Sequence, residues 1–232
     1  MFEIITSLFD FQIFMLILSM FAVDYLSAYV TRRYNSRLPI TPNTRWFFLH
    51  SYVNFIITIT TFSDLVRCLI DPYNGILTFS ETSQIGYRIA TISHVYHMVF
   101  FYNKLTQDEW LHHVLMCLVC GPLTKFYNRN RICVSTLWFL SGLPGFIDYA
   151  MLYLVKIGRI PSITQKNLYI YLSCLVRSPG CIIMVYIQLL TIHQVKHFDE
   201  LLARLTLATL VLWNAQYFLY ITIRDTTRKF IL

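Results

Sequence analysis

Long runs of apolar residues alternate with short polar segments along the whole chain. Seven runs are long enough to predict helices, over residues 8–30, 46–70, 85–102, 110–123, 132–157, 168–192 and 201–223. A helix needs about 20 apolar residues to cross the hydrocarbon layer of a membrane. The pattern therefore predicts a single domain, residues 1–232, with an all-α fold: a polytopic transmembrane helical bundle of about seven helices.

Proline and glycine interrupt two of the predicted helices near their middles. The fifth contains Gly142-Leu-Pro-Gly145 and the sixth contains Arg177-Ser-Pro-Gly180. Because proline lacks a backbone N–H and glycine loosens the turn, both helices are predicted to kink or unwind there. Irregular backbone at membrane depth needs polar partners, and paired broken helices are typical of binding sites in transporters. The second helix is predicted to end before Asp71-Pro72, because the ring of a proline disfavours helical backbone at the residue that precedes it.

Composition supports a membrane environment. Hydrophobic residues make up 56% of the chain and charged residues only 13%, whereas a soluble domain carries about a quarter charged residues. Charged residues are scarce along the whole chain, so the large core of a soluble protein does not explain the composition.

The basic residues are unevenly divided between the two ends of the predicted bundle. One end receives Arg32, Arg33, Arg37, Arg45, Lys104, Lys156, Arg159, Lys166, Arg224, Arg228 and Lys229, and the other receives Lys125, Arg129, Arg131 and Lys196. The positive-inside rule makes the richer end cytosolic, with the N-terminus lumenal and the C-terminus cytosolic. The charges are split among short loops, which favours membrane lipids as partners and argues against nucleic acid; a homo-oligomer is a further expectation.

Several polar or aromatic residues within the helices are candidates for structural roles. Asp64 and Arg67 lie three residues apart on the second helix and are predicted to neutralise each other. Trp46 and Trp110 are predicted to anchor helix ends at the membrane surface. Ionisable groups in a membrane normally face the interior of the bundle, where they often mark function.

Histidines form the main candidate site. His94 and His97 share one face of the third helix, which also carries Arg88. His112 and His113 follow near the start of the fourth helix, and because neighbours in a helix point about 100° apart, only one is predicted to aim straight into the interior. Asp148 and Arg177 lie beside the helix breaks. Together with the histidines they predict a cavity between the third, fourth, fifth and sixth helices. The candidate site residues are Arg88, His94, His97, His112, His113, Asp148 and Arg177.

Around Trp110-Leu-His-His-Val-Leu-Met the chain resembles the TLC-domain family of membrane proteins, which includes ceramide synthases. Two adjacent histidines at a helix start, their spacing to Arg131 and Asp148-Tyr149, the basic loop between them and the preceding tyrosine-rich helix are similar to the family pattern. The resemblance covers roughly residues 45–224. Ceramide synthases carry further acidic and histidine positions where this chain has Pro144, Gly145 and Leu152.

The resemblance implies a TLC-type fold, a role in lipid metabolism, sensing or transport, and an endoplasmic-reticulum or related endomembrane location. An enzyme of this type would be acyltransferase-like, with acyl-CoA as a substrate and no cofactor or metal. His112 or His113 would then be the base or nucleophile and Asp148 would orient a histidine or the amine. Arg88 and Arg177, together with His94 and His97, would bind the lipid or substrate.

Two other classes are kept as alternatives. The pairs His94/His97, His112/His113 and His193/His197 have spacings that can hold iron or zinc, as in a metal-dependent membrane oxidase. The last pair, however, is predicted at the opposite end of the bundle. A small transporter would explain the broken helices, but the sequence shows no internal repeat.

Overall fold

The computed structural model describes residues 11–34, 41–77, 79–127 and 130–231. These residues form seven long helices: α1 (Phe11–Tyr34), α2 (Pro42–Ile70), α3 (Glu81–Phe100), α4 (Gln107–Val114, Leu115–Cys120 and Gly121–Tyr127 in succession), α5 (Arg131–Leu137, Trp138–Gly142 and Leu143–Lys156), α6 (Ser162–Leu172, Ser173–Arg177 and Ser178–Leu190) and α7 (Phe198–Ile231). No strand occurs in these ranges. The predicted start of the first helix at Leu8, and the loop residues Arg37 and Arg129, lie outside the described residues.

Five of the seven helices are long and apolar enough to cross a membrane. They are Phe11–Arg33, Asn43–Ile70, Arg131–Lys156, Ser162–Gln194 and Phe198–Arg228. The remaining two, α3 and α4, carry four histidines between them, which lowers their hydropathy. The all-α architecture of a multi-pass membrane protein agrees with the sequence prediction, and polar α3 and α4 lie among apolar neighbours.

Local sequence sets where several helices begin and end. Thr41 precedes Pro42 at the start of α2, and its hydroxyl accepts the Thr44 N–H at 3.2 Å. At the start of α4 the Thr106 hydroxyl accepts the Glu109 N–H, and the Glu109 carboxylate accepts the Thr106 N–H. The two residues form a complete capping box. Helix α2 stops at Ile70, before Asp71-Pro72, as predicted.

Helix α2 lies at the centre of the bundle and packs against α1, α3 and the whole of α5, including its π-helical segment. Its apolar face forms the main core with α1 and α3, through Met20, Trp46, Leu49, Val53, Ile57, Ile89, Ala90, Tyr96 and Phe101. A second cluster joins α2, α5 and α6 through Leu65, Cys68, Ile132, Met184 and Ile187. The central position of α2 brings its polar side chains near most other helices.

Two buried aspartates connect helices that are distant in sequence. Asp24 on α1 accepts hydrogen bonds from the Arg45 guanidinium on α2 and from the Tyr96 hydroxyl on α3, the latter at 2.9 Å. Asp24 itself lies inside a continuous helix. Asp64 accepts the Ser80 N–H at 3.0 Å and lies 3.3 Å from Arg131 Nε.

The predicted pairing of Asp64 with Arg67 is therefore wrong. Arg67 is exposed on the surface of α2, whereas Asp64 is fully buried and its partners come from outside α2. A buried carboxylate is stabilised by close donors and opposite charge. Ser80, at the start of α3, donates its N–H to Asp64, and Arg131, at the start of α5, lies at ion-pair distance from it. Arg131, counted from the sequence as a loop charge, is thus part of an ion pair between helices.

Three helices contain a π-helical segment that is followed, after one residue, by a proline. In α5 the segment Trp138–Gly142 precedes Pro144, and in α6 the segment Ser173–Arg177 precedes Pro179. These are the two irregular regions predicted from the sequence. A third segment, Leu115–Cys120 in α4, precedes Gly121-Pro122 and was not predicted. In each case the proline cannot donate a backbone hydrogen bond, so a change of helical register is tolerated there.

Candidate functional site

A polar cavity of about 280 Å³ lies inside the bundle. It was expected between α3, α4, α5 and α6, and the structure adds two further walls. Helix α2 contributes Trp46, His50 and Asn54, and α7 contributes Asn214 and Phe218. Five of the seven histidines in the chain line this one cavity: His50, His94, His97, His112 and His113.

The histidine rings from α3 and α4 are in direct contact. His94 Nδ1 lies 3.0 Å from His113 Nδ1, and His97 Nδ1 lies 2.7 Å from His113 Nε2. His113 is therefore held between the two histidines that share a face of α3. This contact between the two predicted pairs follows from the antiparallel hairpin of α3 and α4, which is closed by a short turn at Tyr102–Lys104.

Both members of the adjacent pair face the cavity. His113 is buried, and the ring of the half-buried His112 lies 5.1 Å from that of His94 and 6.4 Å from that of Phe218 on α7. The prediction that only one of the two aims straight into the interior agrees with the deeper burial of His113, although both rings line the cavity. The cavity extends around α4 from α3 to α7, so two side chains about 100° apart can both reach it.

Helix α2 supplies the residues that the sequence analysis missed. Trp46, predicted as a membrane-surface anchor, is instead buried and stacks on His97 with ring centroids 3.5 Å apart. His50 stacks on Tyr149 of α5 at 3.9 Å. The sequence signal was present, because Trp46, His50 and Asn54 are spaced four residues apart and so share one face of α2.

Asp148 and Arg177 both line the cavity, as predicted, but each is already held by protein groups. Asp148 accepts a hydrogen bond from Gln165 Nε2 at 2.6 Å. Arg177 donates to the Leu140 carbonyl at 3.0 Å and to Asn214 Oδ1 at 2.8 Å. Asp148 is not among the hydrogen-bond partners of any histidine ring in the described part of the chain.

Two buried nitrogen atoms in the cavity wall have no partner among the described residues. They are His50 Nδ1 and Asn54 Nδ2, both on α2. A buried polar atom without a partner costs about 1–3 kcal/mol. Both atoms are thus available to a bound molecule or to water.

Two sets of predicted residues lie elsewhere. Arg88 donates to the Gln12 side chain on α1 and is not a lining residue of the cavity. His193 lies in the turn after α6 with its ring near Tyr73, and His197 lies just before α7. Their predicted separation from the other histidines agrees with the structure. An oxidase site built from all three pairs is therefore not assembled.

A second, apolar cavity of about 90 Å³ adjoins the first. The two share a wall made of Ala90, His94, His112, Met116, Leu137, Leu140 and Asn214. Beyond this wall, the apolar cavity is lined by Thr124 near the end of α4, Val134 near the start of α5 and Leu207 near the start of α7. Because short connections reverse the chain between helices, these positions belong to the opposite half of the bundle from the polar cavity.

The two cavities reach different surfaces. Asp108 and Glu109, both exposed at the start of α4, line the polar cavity. This end of the bundle carries Lys104 and Lys156 and is the one rich in basic residues. Trp213, 46% exposed on the outer face of α7, lines the apolar cavity. The interior therefore offers a polar compartment near one end and an apolar one that extends toward the side of the bundle.

Comparison with family models, curated proteins and solved structures gives no significant match. Imidazole nitrogens can transfer protons, bind a metal or donate hydrogen bonds, while Arg177 provides a fixed positive charge and Asp148 a carboxylate.

Proposed function

We propose that the protein is a TLC-type, multi-pass membrane protein that binds and processes a membrane lipid. The lipid headgroup occupies the polar cavity and an acyl chain enters the apolar one. The observation that carries this proposal is the shared wall: a compartment rich in histidine and an apolar compartment lie side by side within the bundle. Binding sites for small molecules combine apolar walls with a few convergent polar groups in this way.

The arrangement also fits the orientation of a lipid in one leaflet. The end of the bundle rich in Arg and Lys is cytosolic by the positive-inside rule, and the polar cavity opens there at Asp108 and Glu109. The apolar cavity lies deeper in the membrane. A lipid of the cytosolic leaflet, in the endoplasmic reticulum or a related membrane, has its headgroup at the level of the polar cavity and its acyl chain at the level of the apolar one.

Acyl-bond chemistry is the reaction class that these groups support. The cluster around His112 and His113 would activate an attacking amine, hydroxyl or water, and Arg177 would stabilise negative charge on the acyl oxygen or headgroup. An acyl-CoA donor would approach from the cytosolic end. Pro144 and Gly145 line the cavity at the positions where ceramide synthases carry polar groups, so this chemistry depends on the histidines and Asp148.

Lipid binding can be tested by purifying the protein in mild detergent and identifying retained lipids by mass spectrometry. We expect one lipid class to be enriched over the surrounding membrane. Leu207→Trp places an indole in the apolar cavity and should abolish retention, whereas Leu202→Trp, exposed on the same helix, should leave it unchanged. Equal retention in both variants, with matched melting temperatures, would exclude the apolar cavity as the acyl-chain site.

The enzymatic part needs a separate test. Alanine at His112 and at His113 should change the cellular profile of the retained lipid class while protein levels stay normal. The matched control is His193→Ala, outside both cavities. If the cellular lipid profile is the same in all variants while purified protein still retains its lipid, the protein is a lipid carrier or sensor and the enzymatic proposal is wrong.

A further inference from the structure

The rings of His94, His112 and His113 form a nearly equilateral triangle. Their centroids are separated by 5.1 Å for His94 and His112, 5.1 Å for His94 and His113, and 5.4 Å for His112 and His113. One nitrogen of each ring lies within 4.8 Å of the others. We propose that these three side chains bind one zinc ion, which revises the expectation from the sequence that the site holds no metal.

The triangle has the size that zinc requires. Zinc binds imidazole nitrogen at about 2.0–2.1 Å, so tetrahedral ligand nitrogens are about 3.3 Å apart and the attached rings have centroids about 5.2 Å apart. The ring separations already match this value. His94 Nδ1 and His113 Nδ1, at 3.0 Å, are close to ligand spacing, and His112 offers a nitrogen within 4.8 Å of the ligand atoms of the other two rings.

The hydrogen bonds of His113 suit a ligand. A metal-binding histidine usually donates its second ring N–H to a neighbouring acceptor, which fixes the ring orientation. His113 Nε2 is 2.7 Å from His97 Nδ1, and His97 is itself held by stacking on Trp46. His113 Nδ1 is then left to face His94 Nδ1. Without a metal, one of these two nitrogens must carry a proton to make the contact favourable; with a metal, both present lone pairs.

The ligand set favours zinc over iron. Non-haem iron oxygenases use two histidines and one carboxylate, but Asp148 is held by Gln165 and is not part of this group. Three histidines with a free fourth position are typical of catalytic zinc, whose bound water ionises near neutral pH. The fourth position here adjoins the polar cavity.

What the zinc does rests on the proposed function, although its binding does not. Bound water would attack the carbonyl carbon of an acyl ester, thioester or amide; the new C–O bond forms, the bond to the leaving group breaks, and the water proton passes to that group. No oxidant or reductant is consumed. His112 and His113 would then act as ligands, and activation of the nucleophile would pass to the metal.

Metal content decides the question. The protein should be purified with an affinity tag that contains no histidine and analysed by inductively coupled plasma mass spectrometry, where we expect about one zinc per chain. His94→Gln and His113→Gln should each lower zinc content at least fivefold. The double variant His193→Gln/His197→Gln removes two histidines outside the cavity and should keep the zinc.

A second measurement covers variants that fold poorly. Wild-type protein stripped by a chelator should gain melting temperature when zinc is added, because a ligand that binds the folded state stabilises it. Less than about a tenth of an equivalent of zinc, with no such gain, would overturn the proposal; so would equal zinc content in every variant. Lipid analysis of the same samples separates the two proposals: lipid without zinc refutes only the metal site, and zinc without lipid refutes only the lipid function.

Discussion

Arg177 connects two broken helices, and its replacement tests how the broken backbone is stabilised. In a regular α-helix the Leu140 carbonyl would accept the N–H of residue 144, which Pro144 does not have. Arg177 Nε from α6 donates to that carbonyl at 3.0 Å, and its Nη2 donates to Asn214 on α7 at 2.8 Å. Arg177→Met keeps an unbranched apolar stem and removes both donors.

The magnitude follows from the two short bonds. Hydrogen bonds between membrane helices average about 0.6 kcal/mol and reach about 1.7 kcal/mol, so losing both should cost about 1–3 kcal/mol. The third contact, to the Tyr169 hydroxyl at 3.4 Å, adds little. For a chain of this size each kcal/mol lowers the melting temperature by about 2–4 °C, so we expect a decrease of about 2–12 °C.

Thermal unfolding in detergent measures this effect, and a double-mutant cycle identifies its cause. Pro144→Ala restores the N–H that the Leu140 carbonyl lacks, so Arg177→Met should cost about 1 kcal/mol less in that background. Arg67→Met, at an exposed site on α2, is the matched control and should change stability by less than about 0.5 kcal/mol. If Arg177→Met costs the same with proline or alanine at position 144, the carbonyl is not what Arg177 stabilises and the reasoning fails.

Two other predictions concern the packing of the bundle. Gly180→Ala would place a Cβ into the ring of Phe139 and should lower stability by about 1–3 kcal/mol, measured by thermal unfolding; Phe139→Leu should recover part of the loss, and no loss in the single variant would contradict the close approach of α5 and α6. Asp24→Asn weakens the links from α1 to Arg45 and Tyr96 and should lower the melting temperature, because a buried charged partner is lost. Asp225→Asn, in a half-exposed pair with Arg224, should change it little. Equal melting temperatures of the two variants would refute the role of Asp24.

The sequence was informative wherever one residue type dominates local geometry. Apolar length predicted seven helices, and Asp71-Pro72 predicted the end of α2. The prolines of α5 and α6 predicted the irregular segments because a missing N–H acts on its own helix whatever surrounds it. Gly121-Pro122 is the same signal, and reading it would have predicted the π-helical segment in α4.

Contacts between helices were the part that the sequence could not supply. Asp64 was assigned to Arg67 because the two share a helix, yet its partners Ser80 and Arg131 come from the starts of α3 and α5. His50 likewise joins the histidines of α3 and α4 only through the packing of α2 against them. Spacing within one helix says which residues share a face, but the neighbour of that face depends on how all seven helices pack.

The irregular segments and the cavity depend on each other. The π-helical parts of α4, α5 and α6 contain Met116, Leu140 and Arg177, and each of these three residues lines the polar cavity. A π-helical turn leaves backbone carbonyls without their usual donors and shifts side chains to new angles around the helix. Such backbone is stable within a membrane only where other groups satisfy it, as Arg177 does for Leu140. The Leu140 carbonyl therefore requires a polar group inside the bundle, and Arg177, which meets that need, also makes the wall of the cavity polar.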